Sequence, residues 1–213
     1  MFIDRTRPNR YHRANDSEPR AFLVAGQRMP ILQREDDIFP PDLLENTSLL
    51  DDSGLQWYCL YTMSRREKDL LRKLIAAGFA CYSPMVPKRY RSPAGRLRTS
   101  YTALFPNYVF LLGDETSRLF ALSTSCVSQV QPINDTSLTA DLRQIHAALQ
   151  SGIPLTPEAR LERGQRVRVS SGPFKDFEGE VLRREGKTRL LLRLNFLEQG
   201  ASMELDEAVL QPV

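Results

Sequence analysis

Beyond residue 163 the apolar side chains fall at every second position, and a period of two places them on one face of successive strands. Val167 and Val169 alternate with Arg166 and Arg168; Leu190, Leu192 and Leu194 share one side of a further strand, and Leu205 and Val209 lie near the end of the chain. Between two of these strands stands Ser170-Ser171-Gly172-Pro173-Phe174-Lys175-Asp176-Phe177-Glu178-Gly179. Glycine supplies unusual backbone angles there and proline sets φ in a tight turn. Several short strands within about fifty residues predict a closed barrel, since closure protects the strand edges. The turn brings Phe174 and Phe177 close together, either as a plug for the barrel end or as a surface for a partner; the residues alone weigh these equally.

A different pattern occupies the preceding hundred or so residues, an ordinary domain length. Trp57-Tyr58-Cys59-Leu60-Tyr61-Thr62 is aromatic and β-prone. Ser64 and Glu67 stand at capping-box spacing, and Leu70, Leu71, Leu74 and Ile75 then recur at helical spacing until Gly78. This predicts a helix of about 14 residues, whose other face carries Arg65, Arg66, Lys68, Arg72 and Lys73 as a solvated surface by default, with a nucleic-acid contact as the alternative. Strands follow over Phe79 to Val86 and Phe105 to Leu112, joined by a hairpin or loop at Pro93-Ala94-Gly95. That excursion concentrates Lys88, Arg89, Arg91, Arg96 and Arg98 beside Tyr90 and Tyr101. The mixture suits phosphate contact with base stacking, or a solvated loop. A short helix over Thr116 to Leu122, a strand over Val127 to Val130 and a helix over Ala140 to Leu149, capped by Thr139 and stopped at Gly152, complete a β-α-β-β-α-β-α order. The order resembles a split β-α-β sandwich.

Residues 1–54 mix charges and prolines without a sustained period and predict a flexible extension. Pro154, Pro157 and their charged neighbours place a linker over 153–163. The net charge of +3 is uneven: residues 55–152 hold 12 basic and 6 acidic groups, against 7 and 10 before them and 10 and 10 after. The middle is therefore the part suited to a nearby polyanion. Cys59, Cys81 and Cys126 have no C-x-x-C spacing and lie in apolar stretches, which predicts three core residues with no metal site or disulfide framework. His146 has no carboxylate or cysteine partner in the sequence around it and is given no chemistry. No apolar run reaches the roughly 18 residues of a membrane-spanning helix, the start lacks the apolar core of a signal peptide, and a cytoplasmic location is expected. A nucleophile-base pair, carboxylate dyad or phosphate loop is not visible, so neither an enzyme nor a cofactor is expected.

Gly164-Gln165-Arg166-Val167-Arg168-Val169, followed by Ser171-Gly172-Pro173-Phe174 and Phe177-x-Gly179-x-Val181, resembles the KOW motif of NusG proteins. Trp57-Tyr58 with Tyr61, and Phe105-Pro106-Asn107-Tyr108-Val109-Phe110, resemble the NGN domain that precedes it in that family. The resemblance implies an α+β chain: an NGN sandwich of antiparallel sheet and helices over 55–152, a linker, and an SH3-like KOW barrel over 164–213. It implies a monomeric elongation factor that docks on the clamp helices of RNA polymerase, with Tyr58, Tyr61, Phe105, Pro106, Tyr108 and Phe110 as the docking residues. Alternation along a strand turns about half of such a set towards the core. The basic excursion would face upstream or non-template DNA. The barrel, through Gly172, Pro173, Phe174, Phe177 and Gly179, would recruit a small-subunit ribosomal protein. Most NusG proteins carry glycine where this chain has Asn107, whereas the RfaH branch of specialised antiterminators has the same F-P-N-Y. The F-G-R loop of NusG appears here as Leu197-Glu198-Gln199, which argues against engagement of Rho.

Overall fold

The computed structural model describes residues 35–52, 54–93, 95–158, 164–184, 186–206 and 209–213; the first 34 residues of the expected extension lie outside them. Two antiparallel sheets and a separate hairpin account for the strands. In the first sheet the order is β1 (Ile38–Phe39), β3 (Ala80–Tyr82), β6 (Tyr108–Gly113), β2 (Gln56–Thr62) and β7 (Val127–Ile133). β2 lies inside the sheet, paired with β6 from Gln56↔Gly113 to Tyr61↔Tyr108 and with β7 from Trp57↔Ile133. Both of its faces are covered. Trp57 and Cys59 belong to one apolar cluster, with Phe110 and Leu112 of β6, while Tyr58 and Leu60 belong to the other, with Val109 and Leu111. Helices α2 (Glu67–Ala76) and α3 (Glu115–Ser123) cover the second face through Leu70, Leu71, Leu74 and Ala121; α4 (Leu138–Gln150) covers the first through Leu142, Ile145 and Ala148.

Several local elements differ from the sequence-based expectation. Residues 35–52 and 54 are folded rather than a flexible extension: β1 pairs with β3, a short helix α1 (Thr47–Leu50) follows, and Leu43 and Leu44 are buried in the core. The apolar pieces there are too short to show a period, yet they supply a sheet edge and a core contact. α2 is shorter than the spacing predicts. Arg65 has φ of 61°, which ends any helical start at Ser64, and the helix begins at Glu67 with no side-chain cap. Thr139 does not cap α4 either; its hydroxyl accepts from Trp57 Nε1 at 3.1 Å, within the interface between helix and sheet. The strand expected over Phe79 to Val86 is broken at Ser83-Pro84 into β3 and β4 (Met85–Arg91), and β4 turns back with β5 (Leu97–Ala103) as a separate two-stranded hairpin.

The barrel is an antiparallel sheet in the order β13 (Leu210–Pro212), β9 (Arg166–Val169), β10 (Glu178–Arg184), β11 (Lys187–Leu194), β12 (Gln199–Glu204) and β8 (Thr156–Glu158). β8 lies within the expected linker and is instead an edge strand, anchored where Ser202 Oγ donates to the buried Glu158 carboxylate at 2.7 Å. Gly179 allows β10 to lie against β11, because a Cβ there would meet Leu191 O at 2.4 Å. Gly172 adopts φ of +87°, the left-handed turn geometry its neighbours require. Arg193 pairs with the mostly buried Glu180 at 2.5 Å, and Gly164 N–H donates to the same carboxylate at 3.1 Å, so this charge has two partners. The described residues form one compact unit in which α4 lies against β11, and the Glu178 N–H donates to Gln144 of α4 at 2.9 Å.

Leu43 has no exposed surface. Its replacement by alanine should lower unfolding stability by about 2–5 kcal/mol in a urea titration; an unchanged midpoint would mean that this segment is not part of the cooperative fold.

Candidate functional site

Of the six aromatic and proline residues expected on a docking face, three are core. Phe110 is fully buried, Phe105 and Tyr58 nearly so. Tyr58 and Phe110 point to opposite faces of the sheet, each into its own apolar cluster. The other three are on the surface together: Tyr61 is 41% exposed, Pro106 is exposed and Tyr108 is half-buried. Tyr61 and Tyr108 are direct cross-strand neighbours, and their rings meet edge to face with centroids 5.3 Å apart. Burial first, with the neighbouring Cys59 and Tyr61 adding to it, raises the Tyr108 phenol above its ordinary pKa, so this hydroxyl stays protonated and able to donate.

The turn that presents Tyr108 is held from both sides. Asn107 has φ of +70°, a left-handed conformation that asparagine and glycine tolerate best. Its N–H donates to Glu67 Oε1 at 2.8 Å, and its carbonyl accepts from Thr62 N–H at 2.8 Å. Glu67 thus serves the turn rather than a capping box. Next to the tyrosine pair, Gln129 and Gln131 of β7 and Phe196 and Leu197 of the barrel border a cavity of about 340 Å³ that also touches Cys59. Sequence reasoning missed Gln129, Gln131 and Phe196, and singled out Leu197 only as part of Leu197-Glu198-Gln199; three-dimensional proximity alone places the four together. Leu197 ends a 3-10 turn, Glu198 has φ of +51° and Gln199 opens β12.

The hairpin carries all five expected cations, Lys88, Arg89, Arg91, Arg96 and Arg98, in exposed positions, with Tyr90 and Leu97 also exposed. None of the five is in an ion pair with another described residue. Tyr90 pairs with Arg98 across the ladder, so their side chains share a face with Lys88, whereas Arg89, Arg91 and Leu97 share the other. The base of the hairpin forms one wall of a groove of about 1790 Å³, opposite Arg65, Arg66, Lys68 and Arg72 of the α2 region. The cations of the helix, expected as a solvated face with a nucleic-acid contact as the alternative, join Lys88 and Arg89 around one concavity. Glu67 and Asp69 temper that charge from the same wall.

In the barrel, Phe174 is buried and Phe177 half-buried, with ring centroids 5.4 Å apart. Phe174 is a plug and not an exposed partner residue; Gly172 and Pro173 remain on the surface of the turn, while Gly179 is half-buried in β10. All three cysteines are free and buried. Burial pushes the Cys59 and Cys81 thiols up to about 12. Among the described residues no histidine, cysteine and carboxylate cluster could hold a metal ion, and no helix is long and apolar enough to cross a membrane.

The described residues thus form an antiparallel α+β sandwich with the Tyr61 and Tyr108 pair at one end of its sheet, followed by a small barrel with a Gly-Pro-Phe turn. The family described as "Transcription termination factor nusG" matches residues 55–144, and the KOW motif matches residues 163–193. The transcription termination/antitermination protein NusG of Pseudomonas aeruginosa is 30% identical over 144 residues, covering 59% of this chain and 80% of that protein. Its counterpart in Vibrio cholerae serotype O1 is 29% identical over 124 residues, covering 53% of this chain and 66% of that protein. The chain belongs to the NusG family. Among solved structures, the "Crystal Structure of MjSpt4:Spt5 complex conformation B" matches over 74% of this chain and 96% of that one, at 16% identity and a TM-score of 0.24.

The left-handed turn gives a direct test. Asn107→Gly should leave thermal stability within about 0.5 kcal/mol, whereas Asn107→Val, β-branched at positive φ, should cost about 1–3 kcal/mol. Equal stability of the two variants would show that the turn imposes no such constraint.

Proposed function

We propose that the chain is a transcription elongation and antitermination factor, specialised in the manner of RfaH, that docks on the clamp helices of RNA polymerase through Tyr61, Pro106 and Tyr108. The observation that supports this reading best is the edge-to-face pair of the exposed Tyr61 and the half-buried Tyr108, on a sheet in which Trp57, Tyr58, Tyr82 and Phe110 are buried. Large aromatic side chains with a polar tip are the residues that interfaces use as anchors. No bond needs to be made or broken. Binding one conformation of polymerase more tightly than another shifts the population towards the elongating form, and differential affinity suffices for that.

The hairpin cations, with those of α2 across the groove, suit the phosphates of upstream or non-template DNA, and Tyr90 suits base stacking. The Gly172-Pro173 turn, supported from inside by Phe174, is the barrel surface for a small-subunit ribosomal protein. Cytoplasmic, monomeric action without a cofactor accords with this role. The alternative is a general NusG that supports Rho-dependent termination; Leu197-Glu198-Gln199 in place of F-G-R favours the specialised reading.

Immobilised full-length chain should retain core RNA polymerase, and Tyr61→Ala with Tyr108→Ala should weaken that retention at least tenfold, as loss of anchoring aromatics does. Undiminished retention by a variant with native circular dichroism would overturn the assignment of the face. For DNA, exchanging Lys88, Arg89 and Arg91 for glutamine should flatten the dependence of log affinity on log salt by roughly 0.7 per lost contact with a single strand. An unchanged slope would remove the hairpin from the interface. Stimulation of Rho in a run-off assay would favour the general factor.

A further inference from the structure

Cys126 differs from the other two cysteines in its company. Cys59 and Cys81 lie among apolar groups, whereas Cys126 Sγ stands 3.4 Å from Lys73 Nζ and 3.3 Å from Asp69 Oδ2. The amine and the carboxylate are themselves 3.4 Å apart, and Lys73 Nζ also donates to Thr124 O at 3.0 Å. Cys126 is only 1% exposed, but the Lys73 and Asp69 side chains that meet its sulfur are 41% and 30% exposed. The thiol therefore lies one side-chain layer beneath solvent, within reach of a small oxidant. Contact with the thiol is the first cause both of the lowered Asp69 pKa and of the raised Lys73 pKa. The sulfur, the amine and the carboxylate thus meet within 3.4 Å of one another.

We propose that Cys126 and Lys73 form a peroxide-driven covalent cross-link, a redox modification that ties α2 to the start of β7. In the first step sulfur attacks hydrogen peroxide. The S–O bond forms as the O–O bond breaks, the thiol proton passes to the departing hydroxide, and the products are the Cys126 sulfenic acid and water; sulfur is oxidised and peroxide reduced. In the second step the Lys73 ammonium releases one proton to solvent, and its neutral nitrogen attacks the sulfenic sulfur. An S–N bond forms, and the sulfenic oxygen leaves as water with the second nitrogen proton. The sum is one thiol, one amine and one peroxide converted to a sulfenamide and two waters. A thiol reductant reverses it by attacking sulfur and returning the amine. Sulfur and nitrogen need only close from 3.4 Å. The link would fasten the helix whose Glu67 holds the Asn107 turn, at the end of the sheet where the Cys126 carbonyl accepts from Met63 N–H at 2.8 Å.

The test treats the native full-length chain with hydrogen peroxide, quenches it with an alkylating reagent and maps peptides by mass spectrometry. The expected product joins the Lys73 and Cys126 peptides, is two hydrogens lighter than their sum, disappears on treatment with dithiothreitol, and leaves Cys59 and Cys81 unoxidised. Lys73→Arg keeps the charge and removes the nucleophilic amine; in it the joined peptide should be absent, and dimedone should trap the Cys126 sulfenic acid instead. Cys126→Ser should yield neither. A wild-type chain in which Cys126 stays reduced, or is oxidised to sulfenic or sulfinic acid with Lys73 unlinked, would overturn the proposal. So would a joined peptide that survives in Lys73→Arg.

Discussion

Burial of β2 on both faces is the constraint on which the first domain depends. A strand with alternating side chains and water on one face needs only a single apolar layer, but Trp57-Tyr58-Cys59-Leu60 is buried throughout and needs two. The helices meet that need. α2 and α3 cover the Tyr58 and Leu60 side, and α4 covers the Trp57 and Cys59 side. Burying a side chain of this size contributes about 1.5–3 kcal/mol, so any rearrangement that exposed either face of the strand would lose several such contributions at once.

The same strand runs out of cover at its end. Tyr61 follows the parity of Trp57 and Cys59, yet it lies past the region α4 covers, and Tyr108 is opposite it in the ladder. The surface that Tyr61 and Tyr108 form is in this sense a continuation of the core beyond its lid. Its rigidity comes from polar groups: Glu67 and Thr62 hold the two sides of the Asn107 peptide unit, so a helix and a central strand jointly fix the direction of Tyr108. The hairpin is built on the opposite logic. It has one ladder, no second layer over its outer part, and side chains whose cations have no described ion-pair partner, so its charge remains available to something outside the chain.

The barrel joins the first domain through more than the intervening chain. α4 is shared, since Leu142 and Ile145 belong to the same apolar cluster as Leu190 and Leu192, and Gln144 accepts from the Glu178 peptide N–H. Phe196 and Leu197 reach the cavity beside Tyr61 and Tyr108. A variant in the barrel can therefore alter the first domain's exposed face without a change in any residue of that domain.

The periods of two and 3.6, the Gly172-Pro173 turn and the exposed cations of the hairpin were legible in the amino-acid sequence, because each depends on side chains close together along the chain. The family motifs were legible for the same reason. What required tertiary structure was every choice between equivalent local options. Tyr58 and Tyr61 have the same chemistry, and only the cover over each decides that one is core and the other surface. Glu67 has capping-box spacing, but the Asn107 N–H is the donor it meets. Phe174 is buried because it packs in one apolar cluster with the leucines of the barrel strands, and Leu43 is core because it joins that cluster with residues far along the chain. Local sequence sets which conformations are cheap; long-range packing determines which of them is occupied, because burial and hydrogen-bond satisfaction depend on neighbours that only the folded chain brings together.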